Sequence, residues 1–246
     1  MRGVALGICP DVTLADITHE IAPQDVLGGA LELAAAYKYF PPSTVFLCVV
    51  DPGVGSARRG LAAEAAGYRF VAPDNGLLTM VFKQTAPAQV VELTDRRYAR
   101  PTISRTFEGR DRFAPAAAWL ASGIEVRALG TPVTTWEMLD VPEPRLNGGQ
   151  LSGIVLRIDR FGNLVTNIDR CTFDAFAAGG ATAIEIDRQR VATLVDTYAE
   201  AESGSACALF GSSDHLEIAV AGGSAVDSFG SHRGATVLVR HLTLDT

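Results

Sequence analysis

At VPEPRLNGGQL (141–151) two prolines and a glycine pair interrupt this chain, and the hydrophobic pattern changes period from one side to the other. Upstream, helical and strand-like segments alternate. GALELAAAYKYF (29–40) has Ala and Leu at helical spacing and stops before Pro41-Pro42, where a helix must end. TVFLCVVD (44–51) is a near-continuous apolar run of the kind that a strand covered on both faces requires. YRFVAP (68–73) and QVVELT (89–94) read as further strands, and APAAAWLASG (114–123) as a helix closed by Gly123. Downstream, helical patterns are scarce. SGIVLRID (152–159), NLVTNI (163–168), ATAIEI (181–186), VATLVDTYA (191–199), HLEIAV (215–220) and ATVLVRHL (235–242) are short runs of partial period-two alternation between Gly, Ser and Asp turns. The expected fold is therefore an α/β N-terminal domain over 1–142, layered on a mostly parallel sheet, a linker over 143–151, and a smaller all-β, barrel-like domain over 152–246.

Two domains fit a chain of 246 residues, and 48% hydrophobic residues supply both cores. Its 21 Lys and Arg against 28 Asp and Glu leave a net charge of −7, which argues against nucleic-acid partners and anionic membrane surfaces. No apolar run approaches membrane-spanning length, and MRGVALGICPDV makes a poor signal peptide. Cys9, Cys48, Cys171 and Cys207 are far apart among apolar neighbours and form no CxxC pair. They are expected to be buried, reduced thiols of a cytoplasmic protein.

The chain has no P-loop, no HExxH helix and no GxSxG elbow, and its four histidines share no ligand spacing, so no metal is expected. What stands out is a set of polar clusters where strands end, the usual place for an α/β site. In VVDPGVGSARR (49–59), Asp51 ends the buried strand and Arg58 follows across a glycine turn. Such a pair can orient a small nucleophile or form an ordinary loop salt bridge. Asp74 and Asn75 in APDNGLLT (72–79) can serve a ligand or an Asx-type turn. TFEGRDRFAP (106–115) puts four charges in five residues directly before an apolar helix. IDRFGNLVTNI (158–168) punctuates a strand with Asp159, Asn163 and Asn167, and GSSDHLEIAVAGGSA (211–225) ends in a glycine pair that lets backbone approach a planar ligand.

Six blocks, ADITHEI (15–21), VVDPGVGSARRG (49–60), APDNGLLT, TFEGRDRFAPAAAWLASG (106–123), DRFGNLVTNI (159–168) and SSDHLEIAVAGGSA (212–225), together resemble the S-adenosylmethionine (SAM) hydroxide adenosyltransferase family, the SAM hydrolases related to fluorinases and chlorinases. The resemblance runs along nearly the whole chain, in order. It implies attack of water or hydroxide on the ribose C5′ of SAM to give adenosine and methionine, with no cofactor, in a homotrimer whose sites lie between one subunit's N-terminal domain and its neighbour's C-terminal domain. By the same resemblance Asp51, Arg58 and Glu108 form the catalytic set, Glu108 standing where the family has His in TFHGRD. Asn163 falls to the adenine edge, Tyr198 to stacking, Val220 and Gly222 to backbone contacts with adenine, Asp159 and Ser213 to the methionine end, and Asn75 to the substrate as well. Fluorinase-type enzymes carry Tyr and Thr where this chain has Asp51 and Val54, and a carboxylate at Asp51 would repel halide. The family's usual opening strand and TDFG-like segment, whose aspartate holds the ribose hydroxyls, do not precede Met1-Arg2-Gly3-Val4 in this sequence. That absence and Glu108 motivate an alternative, a catalytically impaired SAM- or adenosine-binding module of the same fold.

Overall fold

The computed structural model describes residues 1–191 and 193–242. The chain divides into two compact units, Met1–Asp140 and Val141–Thr246.

The first unit is built on five strands, β1 (Val45–Leu47), β2 (Gly60–Ala65), β3 (Tyr68–Pro73), β4 (Gln89–Glu92) and β5 (Thr131–Pro132), in the order β1-β3-β2-β4-β5. Four helices accompany them: α1 (Arg2–Ile8), α2 (Val26–Ala36), α3 (Thr79–Gln84) and α4 (Ala114–Ala121). The side chains of β2 and β3 alternate between two cores. Leu61, Ala63, Phe70 and Ala72 pack with Leu33 of α2 and Val81 of α3. Ala62 and Val71 pack with Phe113, Ala116 and Leu120 around α4. Both faces of the sheet are thus buried, as the apolar runs require.

The mostly parallel sheet is corrected to a mixed one. Only β1 and β3 run parallel, while β3-β2, β2-β4 and β4-β5 are antiparallel. The reason is local. β2 and β3 are joined by Ala66-Gly67, both at positive φ (53° and 79°), the two-residue hairpin turn whose twist matches an antiparallel pair. GLAAEA reads poorly as a strand because alanine and glutamate favour helix. It is a strand because close packing demands small residues there: a Cβ at Gly60 would lie 2.5 Å from the Phe113 ring.

Among the described residues the second unit is a nine-stranded sheet with two α-helices, α5 (Arg170–Ala177) and α6 (Ala225–Phe229). Its strands are β6 (Arg145–Asn147), β7 (Gln150–Ile158), β8 (Leu164–Asp169), β9 (Thr182–Ile186), β10 (Gln189–Val191), β11 (Thr193–Leu194), β12 (Ala206–Phe210), β13 (His215–Val220) and β14 (Thr236–His241). The main path runs β10-β9-β14-β7-β8-β13-β12-β11, with β6 paired to β7. β10 and β11, consecutive in the chain, stand at opposite ends of that path, so the sheet must curl nearly closed. Leu151, Val155, Leu164, Ile168, Ile218 and Val237 fill its interior. Within 143–151, Gly148 and Gly149 (φ 59° and 74°) make the turn between β6 and β7, so residues 145–151 form a hairpin of the second unit's sheet.

All four cysteines are free thiols, but only Cys207 is buried; Cys9 and Cys48 are intermediate and Cys171 is exposed. The expectation of four buried thiols holds only for Cys207 and fails furthest at Cys171, which lies in the first turn of the amphipathic α5, a helix that buries Phe173 instead. Among the described residues no helix is long and apolar enough to cross a membrane.

Candidate active site

β1 delivers the chain to Asp51 through Val49 and Val50. The Asn75 amide Nδ2 donates to the Val50 carbonyl at 2.8 Å while Oδ1 accepts from the Leu77 amide at 3.2 Å. Asn75 is thus an Asx-type latch on the residue before Asp51, with both ends of its amide engaged by backbone. The following loop doubles back. Ser56 Oγ donates to the Gly53 carbonyl (2.6 Å) and accepts from the Arg58 amide (3.1 Å). Gly55, at φ 79°, rests so close to the Arg105 carbonyl that a Cβ there would lie 2.5 Å from its oxygen. Only glycine lets the loop lie against the segment that carries Glu108.

These constraints return Arg58 to Asp51 as a fork. Nε donates to Asp51 Oδ1 (3.1 Å) and Nη2 to Asp51 Oδ2 (2.6 Å). Nη2 also reaches Glu108 Oε2 at 2.6 Å, and Nη1 donates to the Arg59 carbonyl at 2.8 Å. The guanidinium lies 5.1 Å from the Phe113 ring centre. The side chains of Arg58, Asp51 and Glu108 are 7%, 5% and 11% exposed, so the cluster is largely shielded from water and its ion pairs are strong.

Glu108 directly precedes a π-helical turn, Gly109–Phe113, that runs into α4. Wide turns of this kind are rare and cluster at functional sites. Here the turn sets Arg112 3.5 Å from Glu108, while Arg110 pairs with the buried Asp111 instead. The Arg110 guanidinium beside Asp111 holds that carboxyl down at about 2, against the opposing effect of burial. Two carboxylates and two guanidinium groups therefore balance around Glu108.

Beside the cluster lies a cavity of about 550 Å³ whose wall includes His19, Gln24, Glu32, Val49, Asp51 and Leu77. Cys48 also lines it, but desolvation pushes that thiol up to about 12, so it stays protonated and is no rival nucleophile.

The second unit holds a separate polar chain. Asp159 Oδ1 accepts from the amides of Phe161 (2.8 Å) and Asn163 (2.9 Å), and Oδ2 accepts from Asn163 Nδ2 (3.0 Å). Asn163 Nδ2 also lies 3.5 Å from the Tyr198 hydroxyl, which donates to Glu217 Oε2 at 3.1 Å. Tyr198 is not on a strand, as VATLVDTYA suggests. The Thr197 side chain accepts from the Ala199 amide and caps a 3₁₀ turn over Tyr198–Glu200, which leaves Tyr198 half-exposed. Ser213, Val220 and Gly222 are not hydrogen-bonded to this chain. The Ser213 hydroxyl is buried without a partner among the described residues, Val220 offers only backbone, and Gly222 turns at φ 71°.

Asp51, Arg58 and Glu108 thus meet in one unit, with Asn75 one residue removed, and Asp159, Asn163 and Tyr198 meet in the other. The sequence reading missed Glu217 as a member of these clusters. Glu217 carried a signal, an acid in the centre of the apolar strand HLEIAV, since a buried carboxylate needs a reason.

Two family models match the chain: the SAM hydroxide adenosyltransferase N-terminal domain over residues 1–130 and the C-terminal domain of the same name over 153–238. A Thermus thermophilus protein named (R)-S-adenosyl-L-methionine hydrolase is 36% identical over 245 residues, 96% of this chain and 91% of its own. A fluorinase of an Actinoplanes species is 31% identical over 231 residues, 81% of this chain and 78% of its own. Among solved structures, an uncharacterized conserved protein from Thermotoga maritima matches with a TM-score of 0.90 and 32% identity, covering 98% of this chain and 93% of that one.

Proposed function

The chain belongs to the SAM hydroxide adenosyltransferase family, and on that premise we propose that it hydrolyses SAM to adenosine and methionine. The observation that carries this reading is the Arg58 fork: a shielded carboxylate, Asp51, held in one orientation on the wall of a cavity. Water attacks C5′ as the C5′–S bond breaks, and the bonding pair leaves with sulfur as the neutral thioether of methionine. The departing group needs no acid. What the reaction needs is a positioned, partly desolvated water in line with the C–S bond. Asp51 accepts a hydrogen bond from that water and takes up its proton. Arg58 fixes the Asp51 oxygens, and Glu108 with Arg112 fixes Arg58. A carboxylate on the cavity wall favours water over halide, so we assign hydrolysis rather than halogen transfer.

In this reading Asn163 serves the adenine edge and Tyr198 its face, with Val220 and Gly222 offering backbone. Ser213 brings an unused buried hydroxyl and Asp159 its carboxylate to the methionine end. Asn75 acts through backbone, as a latch. No cofactor takes part, because the sulfonium is already an activated leaving group. The protein works in the cytoplasm as a homotrimer in which neighbouring copies share each site. Incubating it with SAM and following adenosine and methionine by chromatography tests the reaction: equal release of both is expected. Tight binding of SAM without release would instead make the chain a binding module. The trimer should elute near three times the 26.0 kDa subunit mass; a monomer with full activity would overturn the shared site.

A further inference from the structure

We infer that Glu217 is a positioning residue that, through Tyr198, fixes the face Asn163 presents and so makes the site select a 6-aminopurine over a 6-oxopurine. The inference rests on the proposed reading in one respect, that a purine nucleoside meets Asn163.

Glu217 sits in the middle of β13, only 6% exposed. Its carboxylate fills a notch left by Gly211, where a Cβ would lie 1.9 Å from Oε1. The glycine is there to admit the acid. The Tyr198 hydroxyl donates to Glu217 Oε2 at 3.1 Å, and burial beside this acid pushes the phenol up to about 12, which keeps that proton in place. The phenol oxygen then has only lone pairs left for Asn163 Nδ2, 3.5 Å away. The other N–H of the same amide goes to Asp159 Oδ2 at 3.0 Å. Two acceptors therefore take both donors of Asn163, and among the described residues its oxygen, Oδ1, is left for a ligand. An amide held this way accepts an N–H and repels a carbonyl. Adenine offers its exocyclic amino group; hypoxanthine puts a carbonyl oxygen in the same place. Sites built around one hydrogen bond reject the mismatched analogue because a buried polar group is left unpaired.

The test is calorimetric binding of adenosine and inosine to the full chain as wild type, Glu217→Gln, Tyr198→Phe and the double variant. Wild type should prefer adenosine. Each single variant should lower the adenosine-to-inosine affinity ratio by about tenfold, the worth of one hydrogen bond. The double variant should lower it no further, because both act through one chain. A role in folding alone would weaken both nucleosides together, and an unchanged ratio in the variants overturns the inference. Tyr198→Phe removes only a hydroxyl and keeps the test alive if Glu217→Gln fails to fold. Wild type that binds neither nucleoside overturns the proposed function itself. Wild type that prefers adenosine, with variants of equal preference, overturns the inference alone.

Discussion

Arg58 Nη2 lies 2.6 Å from Asp51 Oδ2 and 2.6 Å from Glu108 Oε2, so one nitrogen ties together carboxylates that are 57 residues apart in sequence. Without the shared cation the two acids would repel each other in a shielded site. With it, Asp51 is locked by two parallel hydrogen bonds, and Glu108 becomes the counterweight that keeps Arg58 from turning away.

Asp51→Asn should keep the fold and cut SAM hydrolysis by about 10²–10⁴, the range for losing a positioned acid–base group. The amide is nearly the same shape but cannot take up a proton from water. Steady-state turnover beside a circular dichroism spectrum checks both halves. Wild-type turnover in a folded variant would remove Asp51 from the mechanism.

Glu108 bonds Arg58, and in the proposed mechanism it works through that arginine rather than on the reacting atoms. Glu108→Gln should therefore lower kcat by about 10–100-fold, the scale of a small misplacement of a catalytic group, with little change in the KM for SAM. Glu108→His introduces the residue that the resemblance implies at this position and should remain active. Equal kcat for Glu108→Gln and wild type would make Glu108 a spectator.

Asp74 holds a second layer of this arrangement. Arg59 Nε donates to Asp74 Oδ2 (2.8 Å), the Glu137 amide donates to Asp74 Oδ1 (2.8 Å), and the Asp74 amide donates to the Arg59 carbonyl, which also receives Arg58 Nη1. Asp74→Ala should destabilise the protein by about 1–3 kcal/mol, because two part-buried donors lose their buried acceptor. It should also lower turnover, since the Arg59 carbonyl is one of the anchors of Arg58. Chemical denaturation and initial rates measure the two effects, and a rate loss without a stability loss would contradict the linkage.

Much of this was legible from residues alone, for identifiable reasons. YRFVAP and HLEIAV are strands over the read boundaries because β-branched and aromatic residues alternate there between two buried faces. Asp51 and Arg58 could be paired because a Pro-Gly turn separates them by a short loop. The helix α5 was not legible. Its start rests on the Asp169 side chain accepting from the Thr172 amide, inside a stretch whose neighbours all read as strand. The antiparallel turn at Ala66-Gly67 was hidden for a similar reason, since alanine rarely takes a positive φ. In the site, a distant pairing such as Glu217 with Tyr198 depends on which side chains a closed sheet brings face to face. Sequence spacing does not encode that.

Asp111 supplies a test of the segment that carries Glu108. Its carboxylate is buried and accepts from Arg110 Nε (2.8 Å), Arg110 Nη2 (2.9 Å) and the Ser104 amide (2.9 Å), with Arg100 at 3.4 Å. Foremost the bond from Arg110 lowers its pKa to about 2, below the ~3.9 of an unfolded aspartate. A group with a depressed folded pKa stabilises the protein above its unfolded pKa, and that contribution disappears as pH falls through the folded value. Asp111→Asn should therefore be less stable than wild type at neutral pH, and the gap should close between about pH 4 and pH 2. Most other carboxylates titrate in both proteins and cancel in the difference. Glu217, whose pKa burial raises, has the opposite sign: its stabilisation is present at low pH and lost as it ionises, equally in both proteins. Melting temperatures of wild type and Asp111→Asn over that range measure the gap. A gap that stays constant down to pH 2 would mean that the Asp111 charge does not hold the Glu108 segment in place.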